Sequence, residues 1–439
     1  MLKTLVGAFK NKDIRKKILY TLMILVIVRV GSLLPIPGVD TEYFSSLLSG
    51  INTGDLSYLS AFTGGSFERM SLFALSITPY ITSSIIMQLL AIAIPKLEEM
   101  QKEGEDGRKK IAAITRYVTI ALALIESIAM AVGFGRTGLI KGYQGFSTLH
   151  YIVSIIVVVA ALTAGSAMLM WLGERITENG VGNGISIVLL INIISGMPSD
   201  FATLYSTFVA PRTIAKGVLA AAIIIAILVA MVVLVCFLQD GERRIPVQYS
   251  QKVSGRKTFG GQSTNIPLKV NTAGVMPVIF ASSLMQFPVI IAQLFGKPYE
   301  WTRYLSSSYW CRISAPKYSI GLILYIVLLI IFAYFYTSIT FNPIEVADNL
   351  KKAGGVIPGI TPGKSTSDYL NNILNYIVFV GAVGLLIIAL IPIMCTGFFN
   401  ASVSFGGTSV IIIVGVVLET LKQIESQMVN RYYKGFLSE

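Results

Sequence analysis

Apolar residues run through this chain in long, continuous blocks instead of alternating with polar ones as barrel strands do. Ten blocks are long enough to span a bilayer, beginning near Ile18, Met70, Ile111, Leu149, Asn183, Ile214, Val270, Tyr318, Asn371 and Ser404. A hydrocarbon core of roughly 30 Å needs about 20 helical residues at ~1.5 Å rise each, so every block predicts one crossing. An α-helical bundle follows, because only helices and closed barrels satisfy their backbone groups in lipid.

Residues 56–90 break the pattern. They open with a short half-apolar segment ending at Gly64-Gly65 and continue into residues 70–94, long enough to cross. A segment that stops at a glycine pair and re-enters is tolerated at membrane depth only where it is buried in protein or lines water. The stretch therefore predicts a cavity or pore. Its full span interleaves Ser76, Thr78, Thr82, Ser83, Ser84 and Gln88 with Ile77, Ile81, Ile85 and Ile86. Packing between helices through small hydroxyl residues is the competing explanation of that run.

Composition agrees with a polytopic membrane protein: 54% of the 439 residues are hydrophobic and only 13% charged, far outside the soluble range. Charge then sets the orientation. Of 35 Lys and Arg, 25 fall at the N-terminus, in residues 95–116, 171–182, 239–269 and 341–371, and in the C-terminal tail. The other connections hold nine, and Arg29 lies inside the first span. The positive-inside rule puts both termini in the cytoplasm, as an even number of spans requires. The basic first 17 residues run into the first span without a small-residue cleavage site, so that span is expected to be retained. Cys236, Cys311 and Cys395 share no metal spacing, and a single histidine, His150, leaves no basis for His-cluster chemistry.

Along the chain, residues 1–17 read as a basic amphipathic segment on the anionic leaflet. Arg29 must pair or reach the interface. Residues 95–110 read as a charged, solvated loop turning at Gly104 and Gly107. The run ERITENGVGNGIS (174–186) lacks both the preceding strand and the spacing of a dinucleotide loop. Five spans, an external loop and five more suggest an inverted repeat. Two long basic loops, 239–269 and 341–371, lie on one face; the first has β-prone pieces and reads as a protruding hairpin. Such loops suit docking of a large partner, or contact with nucleic acid phosphates.

Taken in order, the motifs PIPGVD (35–40), FALSITPYITSSIIMQLL (73–90), MWLGERITENGVGNGIS (170–186), GERRIPVQYSQK (241–252), STNIPLKVNTAGVMPVIFASS (263–283), FNPIEVADNLKK (341–352), VIPGITPGK (356–364) and FGGTSVII (405–412) resemble the bacterial SecY family, channel subunits of the Sec translocon. The likeness covers almost the whole chain. It implies a two-halved, pseudo-symmetric clamshell of ten membrane helices with an hourglass pore: a cytoplasmic N-terminus (1–17), a first half (18–197), an external hinge loop (198–213), a second half (214–423) and a cytoplasmic tail (424–439).

By the same resemblance the pore ring falls on Ile77, Ile81, Ile185, Leu189, Ile279 and Ile412. A narrow apolar ring dewets and blocks ions, yet yields to a moving polypeptide; for any single member, ordinary core packing is the alternative. A plug at residues 57–67 would include Ser57, Tyr58, Leu59, Phe62, Gly64, Gly65 and Phe67, with the glycine pair as hinge. A lateral gate between the second and seventh spans would use Ser83, Gln88, Asn271 and Phe287. Polar groups there would hold the closed state through bonds that an apolar signal helix replaces. Docking of the SecA motor or the ribosome would fall to Arg243, Arg244, Arg256 and Lys257 in one loop and Lys351 and Lys352 in the other. Thr361 departs from the family, which usually has an arginine there; threonine supplies neither its charge nor its planar fork of donors.

The function so implied is passage of unfolded secretory polypeptides across, and lateral release of membrane segments into, a bacterial plasma membrane. SecE-like and SecG-like subunits, signal-bearing substrates and lipids are the implied partners, with energy from SecA or the translating ribosome. No catalytic pair, phosphate loop or cofactor motif is present, so no enzyme activity or cofactor is expected. A secondary transporter using the broken helix remains an alternative, although Glu126 is the one clear intramembrane carboxylate. An intramembrane protease lacks an Asp pair or Ser-His dyad.

Overall fold

The structure is a computed structural model that describes residues 7, 9–50, 63–134, 148–211, 214–249, 252–254, 257–259, 263–294, 300–306, 309–311, 316–399 and 407–435. In chain order the helices are α1 (Lys12–Leu33), α2 (Thr41–Gly50), α3 (Thr78–Ala93), α4 (Pro95–Lys102), α5 (Glu105–Phe134), α6 (Thr148–Asn179), α7 (Gly184–Leu204), α8 (Ile214–Asp240), α9 (Met276–Leu294), α10 (Thr302–Leu305), α11 (Ile320–Thr340), α12 (Pro343–Lys352), α13 (Lys364–Phe399) and α14 (Gly407–Gly435). Strands β1 (Glu242–Tyr249), β2 (Lys252–Ser254), β3 (Lys257–Phe259) and β4 (Ser263–Lys269) lie between α8 and α9, and β5 (Gly355–Val356) follows α12. Apart from the short α2, α4, α10 and α12, each helix coincides with one of the ten expected spans.

Among the described residues, six helices are long and apolar enough on their own to cross a membrane, and the bent pair α3–α4 passes the same test only when taken together. The others fall short locally: α1, for instance, opens with Lys12, Arg15, Lys16 and Lys17 and carries Arg29. Helix starts follow capping chemistry. The side chains of Asn11, Asn183 and Asn342 accept from Asp13 N, Ile185 N and Ile344 N at the heads of α1, α7 and α12. Outward faces such as Leu22, Val26 and Val30 on α1 or Ile223 and Phe237 on α8 are exposed aliphatic or aromatic surface, which a bilayer would cover.

Three sequence expectations change. Residues 70–77 are not helical: they run as successive turns, with Met70 at φ 41° and Ser76 at φ 54°, and α3 starts only at Thr78. Pro79 explains the start, since its fixed φ and missing N–H suit a first turn. The 16 residues of α3 span only ~24 Å at helical rise. Irregular backbone therefore completes the crossing, and it is satisfied in protein: Ile36 N donates to Met70 O at 3.1 Å and Leu72 N to Leu34 O at 2.9 Å. Residues 95–110 are no open loop. They form α4, bent 107° from α3, and turn at Gly104 (φ +84°) alone, while Gly107 is buried inside α5. Lastly, α1 begins at Lys12, so the basic run 12–17 is continuous with the first span; residues 1–6 and 8 lie outside the described ones.

Each half has its own core. Val39, Phe44, Phe67, Met70, Ala123 and Leu162 pack in the first, and Val235, Met285, Leu329, Leu385 and Ile411 in the second. Small residues let backbones meet: a Cβ at Gly165 on α6 would strike the Leu72 carbonyl, and one at Gly381 on α13 the Val270 carbonyl. Ion pairs of 2.7 Å tie α5 to α6 (Arg116–Glu174) and α8 to α14 (Asp240–Lys422).

Candidate functional site

A third apolar cluster draws on both halves. Ile77 and Leu189 from the first and Ile279 and Ile412 from the second are buried in it, with Ile81 and Ile185 packed against it. All six positions assigned to a ring therefore converge, although they lie as far apart in sequence as 77 and 412. Helical spacing does part of this: Ile77 and Ile81 stand one turn apart at the head of α3, and Ile185 and Leu189 one turn apart at the head of α7. The cluster continues outward through Val28, Phe73, Leu169, Ile176, Phe280 and Val416. Branched aliphatic groups meeting from two halves can exclude water and ions, and they offer no hydrogen bonds that a passing chain would have to break.

Beside this cluster lies the end of the expected plug. Ser57, Tyr58, Leu59 and Phe62 fall outside the described residues. Gly64 and Gly65 both adopt left-handed backbone, φ +62° and +79°. They differ in surroundings: a Cβ on Gly65 would meet nothing within 4 Å, whereas one on Gly64 would lie 2.7 Å from the Asn192 carbonyl of α7. Phe67 is buried edge-on to Phe44, ring centroids 5.8 Å apart. The glycine pair thus joins a conformational turn to a close approach.

The residues assigned to a lateral gate are placed less simply. Ser83 Oγ donates to Pro79 O at 2.7 Å and Gln88 Nε2 to Ser84 Oγ at 3.4 Å, so both bonds run along α3 itself and not across to α9. A hydroxyl within a helix readily takes the carbonyl one turn back. Asn271 is buried ahead of α9 with Nδ2 lacking a hydrogen-bond partner. Phe287 is part of α9, but its side chain is not among the described ones. Beyond the shared apolar cluster, α9 also packs against α5 of the first half.

On the basic face the two loops become one unit. β1 pairs antiparallel with β4 and, on its other edge, with β5 of the second loop, giving the order β4-β1-β5. Alternation along β1 turns Ile245 and Val247 inward onto Leu268, Leu350, Ile357 and Leu370, while Arg243 and Arg244 are exposed. Arg244 pairs with Glu242 at 2.7 Å. Lys351 and Lys352 are exposed at the end of α12; Arg256 lies outside the described residues, and Lys257 is described only as backbone in β3. Thr361 is exposed, and its carbonyl accepts from Thr366 Oγ1 at 2.9 Å.

The family model for SecY matches residues 71–421. The chain belongs to the SecY family. A relative from Streptomyces galbus, described as "Protein translocase subunit SecY", is 44% identical with both chains covered in full. Two solved structures, each 18% identical, share the fold. One is a SecY protein whose plug domain is described as stabilising the closed state of the translocation channel and maintaining a membrane seal, with a TM-score of 0.63, covering 94% of this chain and 92% of that one. The other is Sec61 in the canine ribosome-channel complex from the endoplasmic reticulum, with a TM-score of 0.61, covering 94% and 93%. As a SecY-family member the chain is a protein-conducting channel with the ten-helix, two-halved fold of that family. The SecY motifs did not single out Asn192, Ser195 or Ser76 as a group. The available signal was an asparagine within the apolar run 187–194 of α7.

Proposed function

We propose that the six-residue cluster of Ile77, Ile81, Ile185, Leu189, Ile279 and Ile412 is the seal of the closed channel, through which unfolded secretory polypeptides pass. The observation that carries this reading is their convergence from both halves in one apolar cluster. Separating the halves opens such a seal without breaking any polar bond within it. Residues 57–67 act as the plug, and the tight seat of Gly64 against Asn192 on α7 supports this reading. Membrane segments leave laterally between α3 and α9. There Asn271, with its unsatisfied amide, is the polar residue placed to respond to an incoming helix.

The chain sits in a bacterial plasma membrane with both termini and the β4-β1-β5 sheet in the cytoplasm, as its distribution of Lys and Arg favours. Arg243, Arg244, Arg256, Lys257, Lys351 and Lys352 dock SecA or the ribosome, and joining of the two loops into one sheet supports docking on a single body. SecE-like and SecG-like subunits complete the complex. The chain performs no catalysis itself, and its partners supply the energy.

The test is reconstitution with a SecE-like subunit and SecA in vesicles, scoring protection of a signal-bearing precursor from external protease. Protection that needs both the signal and ATP is expected. Insertion with translating ribosomes but none with SecA would place the motor defect at the Thr361 loop, and failure of both would refute the reading.

A further inference from the structure

A buried polar contact borders the apolar seal. Asn192 follows Leu189 by three residues on α7, so both lie on one face of the helix, and Ser76 immediately precedes Ile77. Asn192 Nδ2 donates to Ser76 Oγ at 3.1 Å, with both residues buried. Asn192 Oδ1 is buried without a hydrogen-bond partner. An amide left half-satisfied opposes burial, so stability alone does not account for asparagine here.

Two further features converge on the same residue. Ser76 holds a left-handed backbone, φ 54°, which a serine keeps only where its surroundings fix it. Gly64, at the end of the plug segment, is pressed against α7 where a Cβ would sit 2.7 Å from the Asn192 carbonyl and 2.6 Å from Ser195 Oγ. Ser195 Oγ in turn donates to that Asn192 carbonyl at 2.8 Å and lies 3.4 Å from the Gly64 carbonyl. One turn of α7 thus holds both the segment leading into Ile77 and the end of the plug.

We propose that Asn192, through its bond to Ser76, is a positioning residue that holds the plug end and the first ring segment on α7, and so sets how readily the channel opens. The proposal rests on the seal and plug reading above. The bond is made in a water-excluded closed state, while in an open, hydrated pore water replaces either partner at little loss. It therefore stabilises the closed state selectively.

The test is ion efflux per folded channel from vesicles holding the full complex in its idle state, comparing wild type, Asn192→Leu, Ser76→Ala and the double variant. One buried hydrogen bond predicts about a fivefold rise in efflux for either single change. The double variant should leak no more than the leakier single one, because both remove the same bond. Passage of a precursor with a defective signal sequence should rise in parallel. A Leu189→Ala channel serves as control. If it leaks while Asn192→Leu and Ser76→Ala stay tight, the proposal is overturned and the seal stands; if the control is also tight, the seal reading fails and the proposal with it. Independent, multiplying effects in the double variant would equally overturn the coupling. Should Asn192→Leu not assemble, Ser76→Ala, a single-atom deletion, decides alone: unchanged efflux overturns the proposal.

Discussion

Leu189→Ala separates a seal from an ordinary core. Leu189 is 5% exposed in a cluster that includes Ile279 and Ile412 from the opposite half. Truncation to alanine removes three carbons, and at ~0.8 kcal/mol per buried CH₂ the lost transfer energy is about 2 kcal/mol, before any cavity contribution. If the contact exists only while the halves are closed, that loss falls on the closed state and raises the open fraction about 30-fold. The assay is efflux of a small anion from vesicles carrying the idle complex, with the unfolding midpoint of the detergent-solubilised protein measured beside it. A rise in efflux with little change in midpoint is expected. A lowered midpoint with unchanged efflux per folded channel would refute the reasoning and make Leu189 a packing residue only.

Other outcomes follow from the same geometry. Gly64→Ala forces a Cβ toward the Asn192 carbonyl at φ +62° and is expected to weaken the closed state by about 1–3 kcal/mol; an unchanged efflux rate would count against tight seating of the plug end. Reversing Arg243 and Arg244 to Glu should weaken SecA binding to vesicles about tenfold at low salt, with the difference shrinking as salt rises. A difference independent of salt would sink the docking assignment. Lys422→Ala breaks an ion pair whose partners are 51% and 49% exposed, so it should shift stability by less than ~1 kcal/mol. A large drop in unfolding midpoint would show that the α8–α14 contact depends on that pair.

The ten membrane helices were legible in the sequence because a bilayer asks one simple thing of a span: enough consecutive apolar residues to cover its thickness, a property each block carries without reference to any other. The hairpin in the first basic loop was legible for a similar reason, since strand alternation such as Arg244, Ile245, Pro246, Val247 is a local pattern. Charge asymmetry suggested an orientation, again by simple counting. What no local pattern carries is which apolar residues meet. Ile77 and Ile412 look like any other isoleucines, and family likeness alone selected them; tertiary packing of two halves decided that they share a cluster. The same holds for the irregular backbone of residues 70–77, which is tolerated because the chain leaving α1 supplies its hydrogen bonds. Joining of the two basic loops through β5 is also a tertiary outcome, since a two-residue strand has no signature of its own. Asn192 shows the division most clearly: nothing in the sequence reading set it apart, and only the folded chain supplied its partner, Ser76, from 116 residues away.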